Sequence, residues 1–260
     1  MEFMKHPMVD THCHLYSEGL LEKVDEIISR ARDKAVNRFY LPAIDNSTHE
    51  KMIRLESRFP AECFAMMGLH PCSVNAAYQE ELAIVKQWLD KRPFVAIGEI
   101  GLDYYWDITF KTEQQEAFRL QINWALERNC PIVIHTRNAM DDTIGIIEEY
   151  VDKGLKGIFH CFSGNSADAA RIMKTGFYFG IGGVLTYKNS GLAEALTEVP
   201  MERIVLETDS PYLAPVPFRG KQNESSYLVY IAGKLAELKG ISMDEVARIT
   251  SNNAQNIFGS

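Results

Sequence analysis

The feature that most constrains the fold of this chain is an alternation of short apolar runs with longer amphipathic segments, which continues from one end to the other. Such alternation is typical of parallel strands joined by helices. It predicts eight strands, at Met8–Asp10, Phe39–Leu41, Cys63–Gly68, Phe94–Gly98, Ile132–Ile134, Gly157–Phe159, Phe177–Gly180 and Ile204–Leu206. Apolar residues that return every three or four positions predict helices at Leu21–Ala35, Glu80–Leu89, Glu113–Arg128, Asp141–Tyr150, Asn223–Leu238 and Met243–Ile257.

Eight strand–helix units in 260 residues match the size of a closed barrel, whereas a doubly wound sheet would more often need fewer strands or an added domain. The sequence contains no linker, low-complexity tract or internal repeat. We therefore expect an α/β protein with a single domain over residues 1–260, a (β/α)8 TIM barrel with an extra C-terminal helix.

Composition limits the partners and the compartment. The chain has 27 Lys and Arg against 35 Asp and Glu, a net charge of −8, so its surface as a whole should repel nucleic acid. Its five cysteines include no CxxC pair, which argues against disulfides or a structural zinc site and favours the reducing cytoplasm. Since the sequence shows neither a signal peptide nor a long apolar run, we expect no membrane partner. We also expect a monomer.

Polar side chains recur where the predicted strands end. Five of the seven histidines follow an apolar run: His12, His14, His70, His135 and His160. Two carboxylates, Glu99 and Asp209, occupy equivalent positions. In a (β/α)8 barrel the carboxyl ends of the strands form the rim where active sites lie.

These strand ends predict a metal centre. Residues two apart on a strand share a face, so His12 and His14 can bind one ion, although such a pair alone fits two satisfied polar residues equally well. Six candidate ligands converge in a closed barrel: His12, His14, Glu99, His135, His160 and Asp209. Because six ligands exceed the need of one tetrahedral ion, we predict two divalent cations (Mg²⁺, Mn²⁺ or Zn²⁺) that share Glu99. We assign His12, His14 and Asp209 to one ion and His135 and His160 to the other.

Such a centre can activate water as a nucleophile near neutral pH. Asp209 and Glu99 are the predicted catalytic carboxylates, with Asp209 as the general base. Glu207 shares the face of Asp209 and can support a ligand or touch an ion, the alternative being a surface salt bridge.

Candidate substrate contacts are cationic or aromatic. Arg137 lies two residues after His135, where it can hold a phosphate or, alternatively, pair with Asp141. Tyr104, with the nearby rings of Tyr105, Trp106 and Tyr212, can stack on a terminal base or simply pack. Arg219 and Lys221 make the proline-containing loop after Ser210 locally basic. A small basic rim suits the end of a strand better than long duplex binding.

The ordered motifs of the chain resemble those of the TatD-type metal-dependent deoxyribonucleases, a branch of the HxH barrel hydrolases. The matching segments are Val9–Leu15, Gly68–Pro71, Gly98–Tyr105, Ile134–Arg137, His160–Gly164 and Leu206–Leu213. The resemblance implies a TIM barrel, divalent metals on the six ligands named above, and phosphodiester hydrolysis of DNA. It also favours a substrate role for His70 over a strand-end cap, and we expect Asp103 to support the ligands from within its motif.

Two departures from that family affect the expected substrate contacts. The family commonly has an acidic residue where this chain has Tyr16, and the loop Arg219–Ser225 lacks a further basic residue after Lys221 and a proline. We expect an exonuclease that acts on single-stranded DNA or a strand end. The alternatives are a metal-dependent esterase, deacylase or amidohydrolase on a small molecule or nucleic-acid-linked ester, and a metal-loaded scaffold without turnover.

Overall fold

Eight parallel strands form the centre of the molecule in the computed structural model, which describes residues 5–259. The strands are β1 (Met8–Asp10), β2 (Val36–Leu41), β3 (Cys63–Ala65), β4 (Ile97–Asp103), β5 (Ile132–Arg137), β6 (Gly157–Phe159), β7 (Tyr178–Ile181) and β8 (Ile204–Leu206). Strands β1 to β3 pair in order, as do β4 to β8. A parallel bridge between Met67 and Ile97 joins these two sheets. At the other seam, Thr11 N donates to Leu206 O at 3.0 Å. The sheet therefore closes, and the predicted TIM barrel is confirmed.

Helices follow the strands around the barrel. They are α1 (Val24–Arg32), α2 (Asn46–Arg58), α3 (Tyr78–Lys91), α4 (Lys111–Glu127), α5 (Met140–Glu148), α6 (Ser166–Thr175), α7 (Leu192–Ala195), α8 (Leu228–Lys239) and α9 (Met243–Phe258). The six predicted helices all exist, although their ends move by up to five residues. Helices α2, α6 and the four-residue α7 were not predicted, although α2 and α6 each begin with a capping box, formed by Asp45 with Thr48 and by Asn165 with Asp168. Within residues 5–259, no helix is long and apolar enough to cross a membrane.

Two strands are longer than predicted at the end that matters for function. Strand β4 runs to Asp103 instead of ending at Gly98, and β5 runs to Arg137 instead of Ile134. The two strands pair as far as Asp103 and Arg137. Gly101 makes this pairing possible, because a Cβ there would lie 2.0 Å from His135 O. Polar residues in these extensions therefore lie on strands.

The barrel interior is apolar below the polar rim. Val133 and Ile158 belong to a buried cluster that α9 covers, and each lies two positions before a rim histidine, His135 or His160. Since side chains two apart share a face, the same alternation builds both the apolar interior and the polar site above it. The ring of Phe258 in α9 stacks on that of Tyr40 at 4.0 Å, closing the opposite end.

Candidate metal-binding active site

A cavity of about 660 Å³ opens at the carboxyl ends of the strands. Five of the six predicted ligands line it, namely His14, Glu99, His135, His160 and Asp209. The sixth, His12, is fully buried beside them, and its ring stacks on that of His160 at 3.6 Å. The closed barrel thus brings together side chains from five separate strand ends.

Glu99 Oε2 faces the histidines that follow β1. It lies 3.1 Å from His12 Nε2 and 3.7 Å from His14 Nε2. Asp209 Oδ1 approaches the same two nitrogens, at 3.7 Å and 3.5 Å respectively. Asp209 has a left-handed φ of 55°, which Asp tolerates better than most residues, and its N–H donates to His12 O at 2.9 Å. We call His12, His14 and Asp209 the β1 cluster.

Glu99 Oε1 faces a second set of rings. It lies 2.8 Å from His135 Nδ1, 3.3 Å from His70 Nε2 and 3.4 Å from His160 Nε2. We call His135 and His160 the β5–β6 cluster. Each carboxylate oxygen of Glu99 therefore faces a different cluster, which is the arrangement that a shared ligand of two cations requires.

Asp103 fixes the orientation of His135. Asp103 Oδ2 lies 2.8 Å from His135 Nε2, while its Oδ1 accepts the N–H groups of Tyr105 and Trp106 at 2.9 Å and 3.3 Å. Nδ1 of the same ring faces Glu99, so in the neutral ring a proton held on Nε2 by Asp103 leaves a lone pair on Nδ1. Burial lowers the pKa of His135, but Asp103 and Glu99 raise it by more. Two anions beside one ring favour a positive charge between them.

Glu207 stands behind His160 in the same way. Glu207 is fully buried, its Oε1 accepts the Cys161 N–H at 2.6 Å, and this oxygen lies 3.0 Å from His160 Nδ1. The surface salt bridge considered for Glu207 is therefore wrong. Burial lowers the pKa of His160, but Glu207 and then Glu99 raise it to about 10. Gly180 leaves room for this carboxylate, because a Cβ there would lie 2.2 Å from Glu207 Oε2.

His70 differs from the predicted ligands in its protonation. Its Nδ1 accepts the backbone N–H of Cys72 at 3.0 Å, so in the neutral ring Nε2 carries the proton. Burial is the largest cause of the lowered pKa of His70. The Nε2–H points toward His135 Nδ1 at 3.2 Å and Glu99 Oε1. The neutral ring of His70 therefore acts as a hydrogen-bond donor into the site.

The donor atoms fit divalent cations. Groups that could each hold an ion include His12, His14 and Asp209, and also His70, Glu99 and His135, with ligand atoms within 4.8 Å of one another. Burial raises the pKa of Glu99, but the surrounding imidazoles, His70 first, hold it well below its usual range. An ionised carboxylate among imidazole nitrogens suits zinc or manganese, and its oxygens also suit magnesium.

Two of the predicted substrate residues, His70 and Arg137, line the cavity. The Arg137 guanidinium carbon lies 3.7 Å from the centre of the Tyr105 ring and 5.2 Å from that of Trp106. The alternative pairing with Asp141 is not formed, since Asp141 contacts Arg171 at 2.9 Å. Trp106 also lines the cavity, as does Tyr212, and the two residues are 70% and 55% exposed.

The other three predicted substrate residues, Tyr104, Arg219 and Lys221, lie outside the cavity wall. Because β4 extends to Asp103, the Tyr104 side chain turns toward the helices, where its hydroxyl contacts Asp142 at 3.0 Å. The guanidinium carbon of Arg219 lies 4.6 Å from the centre of the Tyr187 ring, and Lys221 is exposed.

Sequence reasoning gave no role to Cys72, which lines the cavity, or to Cys161, whose N–H orients Glu207. Tyr16 stands out in the sequence only as a departure from the family, although its side chain contacts His14. Proximity to His70 and His160 along the chain was the available signal for the cysteines. For Tyr16 the sequence carried no such signal, because residues 14–16 follow the end of β1 and lie outside the strand.

A closed (β/α)8 barrel with histidines and carboxylates gathered at its carboxyl rim defines a metal-dependent hydrolase. The sequence profile described as TatD related DNase matches residues 9–259. The chain is 40% identical over 252 residues to the uncharacterized metal-dependent hydrolase YabD of Bacillus subtilis, covering 96% of this chain and 98% of that protein. It therefore belongs to the TatD family.

Two further relatives support this assignment. The chain is 28% identical over 258 residues to the 3'-5' ssDNA/RNA exonuclease TatD of Pantoea ananatis, covering 97% of this chain and 99% of that protein. The crystal structure of YJJV, a TatD homologue from Escherichia coli K12, superimposes with a TM-score of 0.92 at 27% identity and covers 97% of this chain and 98% of its own.

Proposed function

We propose that this protein hydrolyses phosphodiester bonds at the ends of DNA strands, as an exonuclease. The observation that carries the proposal is the position of Glu99, which presents one oxygen to each of two ligand clusters at the base of an open cavity. Two divalent cations would be held by His12, His14, Glu99, His135, His160 and Asp209. Relatives named 3'-5' ssDNA/RNA exonuclease support a nucleic acid as the substrate.

The residues in and around the clusters have separate roles in the proposed hydrolysis. When bound, the cations supply a water of lowered pKa and positive charge beside the phosphate oxygens. Asp209 accepts the proton of the attacking water, since it is the predicted carboxylate ligand that is not shared. His70 donates its Nε2–H to a phosphate oxygen, and Arg137 offers a planar pair of N–H donors on the cavity wall.

The cavity wall favours a strand end over continuous duplex. Arg137 is the single Arg or Lys that lines the cavity within the described part of the chain, and the net charge is −8. Few phosphates can therefore be held. The exposed rings of Trp106 and Tyr212 offer stacking surfaces for a terminal base, which need no sequence preference. We place the protein in the cytoplasm as a monomer, consistent with five free cysteines.

The test uses purified full-length protein on single-stranded DNA labelled at either end, with RNA and duplex DNA in parallel. We expect stepwise release of mononucleotides that a chelator abolishes and Mn²⁺, Zn²⁺ or Mg²⁺ restores. The Asp209→Asn variant should lose about a thousandfold in rate, whereas Asp168→Asn, which alters a helix cap outside the clusters, should not. Wild-type cleavage that survives exhaustive metal removal would refute the proposal.

One observation favours a second candidate, hydrolysis of an ester on a small molecule or at a nucleic-acid terminus. The cavity wall contains apolar side chains, such as those of Ile44, Val184 and Leu213, beside the basic side chain of Arg137. Such a wall suits a compact, partly apolar group. Acyl esters and aminoacyl-nucleotides, assayed beside DNA at equal concentration, separate the two candidates by their kcat/KM values.

A further inference from the structure

The hydroxyl of Tyr16 lies between His14 and the backbone. It is 2.9 Å from His14 Nδ1, and it donates to the carbonyl oxygen of Pro42 at 2.5 Å. Tyr16 is only 1% exposed, so water does not compete for these bonds. This is the position where the family commonly has an acidic residue.

The two contacts together determine where the His14 proton lies. The Pro42 carbonyl has no proton, so the single proton of the Tyr16 hydroxyl occupies the bond to Pro42. The hydroxyl oxygen can then only accept from His14, which requires a proton on Nδ1. Nε2 of the neutral ring consequently carries a lone pair.

The groups on the other side of the ring favour the opposite arrangement. His14 Nε2 lies 3.5 Å from Asp209 Oδ1 and 3.7 Å from Glu99 Oε2. Two carboxylate oxygens attract a proton to Nε2, and a proton there would block a cation. Without an acceptor at Nδ1, the ring would place its proton toward these carboxylates.

We propose that Tyr16 is a positioning residue that keeps the proton of His14 on Nδ1 and so leaves Nε2 free to bind a cation. The proposal rests on the ligand set assigned above. Since the Tyr16 hydroxyl is neutral, it orients His14 without adding negative charge behind it.

The experiment compares the wild type with Tyr16→Phe, which removes only the hydroxyl. In chelator-treated protein, long-range ¹H–¹⁵N NMR should show the wild-type His14 proton on Nδ1 and the variant proton on Nε2. Calorimetric titration with Mn²⁺ should show about tenfold weaker binding at one site of the variant, since losing the partner of a ligating histidine costs tenfold or more. The matched control is Tyr187→Phe, which loses a similar bond to Ala214 O at 2.9 Å but touches no histidine.

The outcomes distinguish this proposal from the assignment of the ligands. A wild-type His14 with its proton on Nε2 overturns the role of Tyr16 without recourse to any variant. So does a folded Tyr16→Phe protein with unchanged proton position and Mn²⁺ affinity. If His14→Ala leaves Mn²⁺ affinity unchanged, the ligand set itself is wrong.

Discussion

The β1 cluster and the β5–β6 cluster offer similar ligands but differ in what stands behind their histidines. In the β5–β6 cluster a buried carboxylate, Asp103 or Glu207, backs each ring. In the β1 cluster a neutral hydroxyl, that of Tyr16, backs His14. Within residues 5–259 Nδ1 of His12 and Nδ1 of His160 both lack a hydrogen bond, but Glu207 Oε1 lies 3.0 Å from the latter. Negatively charged carboxylates therefore lie behind the histidines of the β5–β6 cluster, whereas a neutral hydroxyl lies behind His14 in the β1 cluster.

The pKa directions reflect this difference. Burial and the neighbouring His160 lower the pKa of His12. Burial acts the same way on His135 and His160, but their carboxylate partners reverse the direction of the pKa shift. Since a carboxylate behind an imidazole raises its strength as a ligand, we expect the β5–β6 cluster to bind its cation more tightly. The β1 cluster should exchange its cation more readily.

The largest predicted effect comes from the residue that both clusters share. Glu99→Gln replaces one carboxylate oxygen with an amide that cannot bind a cation, so one cluster must lose a ligand. We expect DNA hydrolysis to fall at least about a thousandfold, and one cation per chain to be lost on dialysis, measured by elemental analysis. Glu149→Gln, in a surface pair with Arg119, is the control. Activity within tenfold of wild type would show that Glu99 is not shared.

The next prediction tests whether a carboxylate behind a ligating histidine contributes more to metal affinity than a neutral hydroxyl does. In Asp103→Asn the amide NH2 group can donate to His135 Nε2, which moves the ring proton to Nδ1 and points it at Glu99. We expect about a hundredfold loss of affinity at the tighter site, against about tenfold at the weaker site for Tyr16→Phe. Calorimetric titration of both variants with Mn²⁺ measures the two losses. Equal losses would remove the proposed distinction between the clusters.

The barrel was predictable from periodicity, and the six candidate ligands were predictable because each follows an apolar run near the carboxyl end of a strand. An apolar run sets the interior face of a strand, and the residue two positions further on shares that face, as Val133 and His135 do. The alternation does not extend to Glu99, whose strand shifts register between Ile97 and Ile100, or to His12 and His14, which follow the last residue of β1. Position along the chain was nevertheless enough to find the candidate ligands.

The support behind those ligands was not predictable, since it depends on strand register and on individual bonds. Tyr104 was expected at the substrate, but β4 continues through Asp103 and turns the tyrosine away. Tyr16 stands out in the sequence only as a departure from the family, because its role requires the Pro42 carbonyl, which the fold brings close. Nothing in a pattern of residue types fixes such a contact.

A smaller effect is expected where the backbone makes room for Glu207. In Gly180→Ala the new methyl group would lie 2.2 Å from Glu207 Oε2, so the carboxylate must move away from His160. We expect the free energy of unfolding to fall by about 2 to 3 kcal/mol, as overpacking usually costs, with weaker binding at the β5–β6 cluster. Gly145→Ala is the control, because it has open space in α5 and should stabilise by up to about 1 kcal/mol. Denaturant titration measures both. Unchanged stability and affinity in Gly180→Ala would show that Glu207 does not depend on this space.

The smallest predicted effect is a pH dependence of stability that arises from His49, a buried histidine outside the clusters. Within residues 5–259, no pair of carboxylates offsets the effect of burial on its pKa. Burial lowers the pKa of His49 from 6.5 to about 4, and Asp45 opposes this only in part. Between these values the unfolded chain binds a proton that the folded chain does not, so stability should fall as the pH drops through this range. From pH 7 to pH 5 the loss should be about 2 kcal/mol, and His49→Leu should abolish that part. Denaturant titrations of both proteins in chelator, at each pH, isolate the His49 contribution, because the other groups titrate alike in both. Parallel pH profiles would mean that burial alone does not set the pKa of a histidine in this barrel, and that the contrast with His160 has another cause.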